Sequence, residues 1–170
     1  MHFDAFESEN YPELAKAGVA IDYNHSAIRS HSPAGLKLLS NLDVSISILK
    51  LFPGISRQTV GALLNTPGLK GLILETFGSG NAPSSPWFIA LLKETISKGV
   101  IVLNISQCPG GMVTQGKYET SKMLQEIGVI GGADMTTESA VTKLMVLLGT
   151  HGTDKTKELI SKAWVGELTE

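Results

Sequence analysis

The sequence of 170 residues contains a single cysteine, Cys108, so an internal disulfide framework is excluded. A lone thiol is typical of proteins kept in a reducing compartment, and we expect this protein to be cytoplasmic. No apolar run approaches the roughly 18 residues that a membrane-spanning helix needs. The first residues contain neither the basic nor the apolar stretch of a secretory signal peptide, so no such peptide is expected.

An excess of basic residues is also missing. The 14 lysines and arginines are balanced by 16 aspartates and glutamates, and the net charge is −2. Proteins that bind nucleic acid usually gather positive charge on one face, so we do not expect a nucleic-acid binder. The four histidines, which are His2, His25, His31 and His151, lack the spacing of metal ligands, and no nucleophile-elbow motif indicates a Ser-His-Asp triad.

The sequence does contain a regular alternation of strand-like and helix-like segments from about residue 41 onward. Strands are predicted at 44–51, 71–76, 100–106 and 129–131. They are mostly continuous apolar runs, as in strands buried on both faces, and a helical pattern follows each one. We therefore predict an α/β fold, in which a four-stranded, mainly parallel sheet is flanked by helices on both faces in three layers, α/β/α.

Capping residues mark the starts of the predicted helices. Ser56, Ser85 and Thr136 each stand where a side-chain oxygen can accept a hydrogen bond from the first helical turn. Another helix is predicted at about 118–127, and a last one after Asp154. These positions leave one helix after each strand and a further helix near the end of the sequence.

The first 40 residues are less regular. A turn at Pro12 leads to a short predicted helix through Leu14 and Ala15, which ends at Gly18. We predict that residues 1–40 are a lead-in segment and that residues 41–170 form the α/β domain.

Loops rich in glycine and proline follow the predicted strands. In an open parallel sheet, ligands bind at the carboxyl ends of the strands, and glycine lets backbone amides approach a small polar ligand. The four loops cover residues 53–56, 78–83, 107–111 and 131–134. Turns of this kind also carry glycine and proline for folding reasons alone. The 78–81 segment lacks the third glycine and the downstream acidic residue of a dinucleotide-binding fingerprint.

Four side chains in or beside these loops are candidates for contact with a ligand. Asn81 offers a donor and an acceptor that suit an amino-acid ligand, or it is a turn residue. Cys108 is either an activated thiol or a buried structural one. Glu75 ends an otherwise apolar strand, where it turns into the crevice or pairs at the surface. Asp134 is expected to support the start of the next helix.

Residues 151–156 gather Thr153, Asp154 and Lys155 as if for a threonine nucleophile. However, this segment follows one predicted helix and precedes another, whereas a nucleophile of this kind is expected after a strand. We interpret it as an interhelical loop with a cap.

Several segments together resemble the C-terminal domain of the type I (cytoplasmic) bacterial L-asparaginases. They are residues 5–12 (AFESENYP), 51–55 (LFPGI), 78–83 (GSGNAP), 104–108 (NISQC), 128–136 (GVIGGADMT) and 166–169 (GELT). Their order is that of the family, and the similarity spans nearly the whole sequence. The GNAP loop and the Asp134-Met135-Thr136 stretch are the most specific parts.

The resemblance implies an amidohydrolase that converts L-asparagine to L-aspartate and ammonia through a threonine nucleophile, with no metal or organic cofactor. In the family that threonine lies in a Thr-Gly-Gly-Thr loop of an N-terminal domain, and no such motif occurs in this sequence. Residues 1–40 then correspond to the interdomain connection and residues 41–170 to the C-terminal domain. The isolated chain is expected to be inactive.

The resemblance also assigns candidate residues and partners. Asn81 and, by a looser match, Tyr118 would bind substrate in a site shared with the N-terminal domain of the same or a neighbouring subunit. The expected assembly is a homo-oligomer, either a dimer or a tetramer. Some type I enzymes bind asparagine at a second, activating site, where Cys108 matches the family cysteine but Glu75 replaces an arginine. A carboxylate cannot clamp the carboxylate of the effector, so activation there is not expected.

Two alternatives stay open on the sequence alone. One is the amidase subunit of a tRNA-dependent amidotransferase, from the same superfamily. The other is a module that binds an amino acid and regulates another protein without catalysis.

Overall fold

The computed structural model describes residues 9–30, 35–116 and 119–169. The chain divides into two compact units, Met1–Leu38 and Leu39–Glu170. Among the described residues, no helix combines the length and the apolar character needed to cross a membrane.

The first unit contains a β-hairpin where the sequence pattern predicts a short helix. Strands β1 (Ala15–Ala17) and β2 (Ile21–Tyr23) pair in antiparallel fashion, with Ala15 opposite Tyr23. The predicted helix through Leu14 and Ala15 is therefore wrong. A helix that ends at Gly18 would be too short to repay the cost of its nucleation, whereas the hairpin satisfies the same backbone groups across two strands.

The second unit is built on a parallel sheet of four strands. These are β3 (Ile46–Lys50), β4 (Gly71–Thr76), β5 (Ile101–Ser106) and β6 (Ile130–Gly131). They lie in the order β3-β4-β5-β6, and every neighbouring pair is parallel. The predicted strands and fold class are confirmed.

The strand order explains where the helices lie. Each crossover from β3 to β6 advances in the same direction, and right-handed crossovers then place all the connecting helices on one face of the sheet. The helices are α1 (Arg57–Leu64), α2 (Pro86–Ser97), α3 (Glu119–Glu126) and α4 (Thr137–Leu159). One buried cluster joins Val60, Phe88 and Leu124 of α1, α2 and α3 with Leu72 and Val102 of the sheet. A second joins Ala140, Leu144 and Leu147 of α4 with Ile73 and Leu103 on the opposite face.

Two of the predicted helix caps are confirmed. The Ser56 hydroxyl accepts from the amide of Thr59 at 3.0 Å, and that of Thr136 accepts from the amide of Ser139 at 3.3 Å. Ser85 makes no such side-chain bond, and α2 instead begins with a proline in its first turn. The range of α4 holds two helical segments that meet at a kink at Gly152, where φ is 72°, so the helix breaks within the predicted interhelical loop.

The C-terminal segment is held against α4 and the loop after β6. Lys143 and Glu167 form an ion pair at 2.5 Å, with side chains only 4% and 7% exposed. Lys143 also donates to the carbonyl of Lys162, and Glu167 accepts from the amide of Val165 at 2.6 Å. The Asp134 carboxylate accepts from both the amide and the hydroxyl of Thr169, at 2.7 and 2.6 Å.

Candidate functional site

The carboxyl ends of the four strands lie along one edge of the sheet, and the candidate site is built there. Lys50, Thr76, Ser106 and Gly131 are the last residues of β3 to β6. Because the strands are parallel, the loops after them meet at the same edge, which is where open α/β sheets bind ligands.

The loop after β4 makes a tight turn that carries Asn81. Phe77 and Asn81 exchange two backbone hydrogen bonds, each of 2.9 Å, and Gly80 donates to the carbonyl of Phe77 at 3.1 Å. Gly80 has φ of 106°, and a Cβ there would lie 2.9 Å from the Val113 side chain. Glycine is therefore required for both the backbone conformation and the space. The turn leaves Asn81 partly buried at the carboxyl edge, the position predicted from the sequence.

Three successive carbonyls of this turn accept hydrogen bonds from the segment that starts in β5. The Ser106 hydroxyl donates to the carbonyl of Gly78 at 2.6 Å, and the Thr114 amide donates to that of Ser79 at 3.1 Å. The side-chain amide of Asn104 donates to the carbonyl of Gly80 at 3.4 Å. Neither Ser106 nor Asn104 was among the site residues predicted from the sequence. The feature of the sequence that could have indicated them is the presence of two polar residues in the otherwise apolar strand β5.

Asn104 belongs to a polar pair that is completely buried beneath the turn. Thr76 and Asn104 are both 0% exposed, and the Thr76 hydroxyl donates to Oδ1 of Asn104 at 2.6 Å. Buried polar groups are costly unless they are paired, so this bond stabilises an arrangement that an apolar core would not need.

Glu75 lies on the α4 face of the sheet and is 6% exposed. Its Oε1 accepts from the Thr137 hydroxyl at 2.5 Å, and its Oε2 lies 3.2 Å from Nζ of Lys50. Both carboxylate oxygens are thus engaged by neighbouring elements. Glu75 was expected either to turn into the crevice or to form a pair at the surface. It forms a pair, but its carboxylate is buried, and only its partner Lys50 is exposed.

Cys108 lies in the loop after β5 with an exposed thiol, which excludes the buried structural role. Its backbone amide donates to the Ser106 hydroxyl at 3.1 Å. The preceding residue, Gln107, donates from its side-chain amide to the carbonyls of Leu51 and Glu75, at 2.6 and 2.8 Å. This amide joins the ends of β3 and β4 and places the loop of Cys108 next to the strand of Glu75.

The remaining candidates are Tyr118, the segment 151–156 and Asp134. Tyr118 is outside the described residues. The segment 151–156 contains the kink of α4 at Gly152, as its interpretation as a junction between helices predicts, and Lys155 forms an ion pair with Glu158 at 2.6 Å. Asp134 binds Thr169 of the C-terminal segment, while Thr136 caps α4. Within residues 9–30, 35–116 and 119–169 no group of three or more histidine, cysteine or acidic side chains is placed to hold a metal ion.

Comparisons with known proteins agree with this architecture. The chain is 39% identical over 168 residues to L-asparaginase 1 of Escherichia coli, covering 98% of the chain and 49% of that protein. It is 32% identical over 169 residues to a subunit of the glutamyl-tRNA(Gln) amidotransferase of Pyrococcus furiosus, with 98% and 38% covered. The crystal structure of L-asparaginase I from Vibrio cholerae superposes with a TM-score of 0.89 at 36% identity, covering 100% of this chain and 52% of that one.

The chain therefore spans about half the length of these two asparaginases, 49% of the Escherichia coli protein and 52% of the Vibrio cholerae one. Residues 45–160 match the model of the glutaminase/asparaginase C-terminal domain. The segments that carry the resemblance include residues of the loop after each of the four strands and the turn of Asn81. On this evidence the chain belongs to the glutaminase/asparaginase C-terminal domain family.

Proposed function

We propose that this chain is the C-terminal domain of a cytoplasmic L-asparaginase, which hydrolyses L-asparagine to L-aspartate and ammonia. The observation that carries the proposal is the turn of Asn81, held by hydrogen bonds at the carboxyl edge of a sheet that matches asparaginases over nearly its whole length. A rigid loop that presents one amide is suited to orienting a small amino acid for reaction.

In this proposal the chemical step needs a threonine from an N-terminal domain. Its hydroxyl attacks the side-chain amide carbon of asparagine, the carbon–nitrogen bond breaks so that ammonia leaves as the covalent acyl-enzyme forms, and water then hydrolyses this ester to release aspartate. This chain supplies orientation: Asn81 hydrogen-bonds the α-amino end of the substrate, with Tyr118 as a second candidate contact. The site is completed by the N-terminal domains of the same and a neighbouring subunit in a homo-oligomer.

The amidase subunit of a tRNA-dependent amidotransferase is the second candidate, favoured by the 32% identity to the Pyrococcus furiosus protein. An assay on the longer protein, in which this chain follows its N-terminal domain, separates the alternatives. We expect ammonia release from free L-asparagine that does not depend on tRNA. Activity only with glutamyl-tRNA would favour the amidotransferase. Amino-acid binding without any hydrolysis would favour the regulatory module.

We predict that Asn81→Ala in the longer protein lowers kcat/KM for asparagine about ten- to a hundredfold. The reason is the loss of one hydrogen bond to a charged group, which is worth roughly 1.5–3 kcal/mol. Steady-state kinetics and a thermal melt measure the two effects, and the melting temperature is expected to stay nearly unchanged because Asn81 is in a loop.

Asn41→Ala is the matched control, because Asn41 is exposed and precedes β3, away from the carboxyl edge. It is expected to leave both kinetics and melting unchanged. Unchanged kinetics in Asn81→Ala would remove Asn81 from the site.

We also predict that asparagine saturation of the longer protein is hyperbolic. The Glu75 carboxylate is already engaged by Thr137 and Lys50, and its charge repels the carboxylate of an effector. Initial rates over a wide range of asparagine concentrations measure the shape of the curve. Cys108→Ser is expected to leave that shape unchanged, whereas a sigmoidal curve that Cys108→Ser abolishes would contradict the prediction.

A further inference from the structure

The turn that carries Asn81 is attached to β5 by two side chains that have no role in the proposed chemistry. Ser106 donates to the carbonyl of Gly78, and Asn104 donates to the carbonyl of Gly80. These bonds lie on either side of the bond from the Thr114 amide to the carbonyl of Ser79. The backbone just before Asn81 is thus held at three consecutive residues.

The orientation of the Asn104 side chain is determined by its own partner. The Thr76 hydroxyl donates to Oδ1 of Asn104 at 2.6 Å, so the NH₂ group must lie on the side of the amide group that points away from Thr76. That side faces the carbonyl of Gly80 at 3.4 Å. Because both residues are completely buried, no solvent competes for this arrangement.

Two glycines leave the space that these donors occupy. A Cβ on Gly80 would lie 3.3 Å from Nδ2 of Asn104, and a Cβ on Gly111 would collide with the hydroxyl of Ser106. A larger residue at position 111 would therefore displace the serine hydroxyl. The glycines of the two loops are therefore sterically complementary to the polar side chains of β5.

We propose that Asn104 and Ser106 are positioning residues for the substrate site, which hold the carbonyls of Gly80 and Gly78 and so determine where Asn81 lies. This assignment rests on the proposed function for one point, the contact between Asn81 and substrate. The attachment of the turn to β5 depends on the fold alone and is tested separately.

The first experiment measures amide hydrogen exchange by NMR in the chain of residues 1–170. The amides of Gly80 and Asn81 both donate to the carbonyl of Phe77 and report the opening of the turn. Ser106→Ala and Asn104→Asp each remove one donor, and we expect exchange at both amides to become about tenfold faster. Unchanged exchange in both variants would overturn the proposal.

Ser97→Ala is the matched control. The Ser97 hydroxyl also donates to a backbone carbonyl, that of Glu94 at 2.7 Å, but it lies at the end of α2. Exchange at Gly80 and Asn81 is expected to be unaffected. If Asn104→Asp does not fold, Thr76→Val takes its place, because it removes the hydroxyl that orients the Asn104 amide, and it is expected to make exchange faster in the same way. Thr76→Ser keeps the hydroxyl and is expected to keep exchange slow.

The second experiment uses the longer protein and a double-mutant cycle. Ser106→Ala is expected to raise KM for asparagine about tenfold with a smaller change in kcat, because misplacing Asn81 weakens binding of substrate and transition state alike. Adding Ser106→Ala to Asn81→Ala is expected to cause no further loss, since the serine acts through the asparagine. Fully additive losses would overturn the positioning role, since a general structural role predicts them. A longer protein without hydrolysis would refute the proposed function, while the exchange experiment would still decide the attachment of the turn.

Discussion

The purified chain of residues 1–170 is expected to release no ammonia from L-asparagine above the rate in buffer, even over hours. Among the described residues no threonine hydroxyl is hydrogen-bonded to a lysine ammonium, so none has the neighbour that would activate it. Loss of a catalytic nucleophile lowers kcat on the order of a millionfold. In the proposed function this chain supplies only groups that orient substrate. A coupled ammonia assay, with a thermal melt to establish that the chain is folded, makes the measurement.

Adding the separately expressed N-terminal domain is the positive control and is expected to restore hydrolysis. The contradicting result would be ammonia release by the chain alone that Thr153→Ala abolishes. Thr153 follows the break in α4 at Gly152, and the nearby Lys155 is paired with Glu158. Such a result would make the 151–156 segment catalytic against both its position and its contacts.

Replacing Lys143 by methionine is expected to lower the free energy of unfolding by about 3–5 kcal/mol, because it leaves the carboxylate of Glu167 buried without its partner. Chemical denaturation of the chain measures the change. The pair joins α4 to the C-terminal segment, so the loss is expected to release that segment.

Lys155→Met is the matched control. Its ion pair with Glu158 is of similar length, 2.6 Å, but both side chains are more than half exposed, and a change of less than about 1 kcal/mol is expected. Lys143→Met combined with Glu167→Gln removes both charges and is expected to recover part of the loss. A Lys143→Met variant as stable as the control would contradict the prediction.

The pH dependence of unfolding provides a second measurement of the same pair. Burial of Glu167 raises its pKa, but the hydrogen bond from Lys143 and those from backbone amides outweigh burial and lower the pKa from 4.5 to about 2. A carboxyl with a lowered pKa stabilises the fold above its unfolded value, and this stabilisation is lost as the pH falls from about 4.5 to about 2. Lys143→Met is expected to flatten the curve in that range.

Local patterns in the sequence were sufficient to predict features of the structure that depend on residues close together along the chain. Ser56 and Thr136 cap their helices because the accepting oxygen and the donating amide are three residues apart in sequence. The apolar runs of β4 and β5 predicted strands buried on both faces, and all six residues of β4 and the first five of β5 are buried. The hairpin at Ala15 was missed because strand pairing outweighed the weak helical preference of a short segment.

The sequence by itself determined the order of strands and helices in the second unit and the family of the chain, and it predicts the carboxyl edge as the place for a site. Only the tertiary structure decided the partners of the polar side chains. Glu75 meets Thr137 across 62 residues, Asp134 meets Thr169 across 35, and Ser106 meets Gly78 across 28. Strand periodicity indicates the face on which a side chain lies, but a hydrogen bond also needs the donor and acceptor atoms to come within about 3 Å of each other. That proximity is set by the packing of the whole sheet and its helices, and no local pattern in the sequence encodes it.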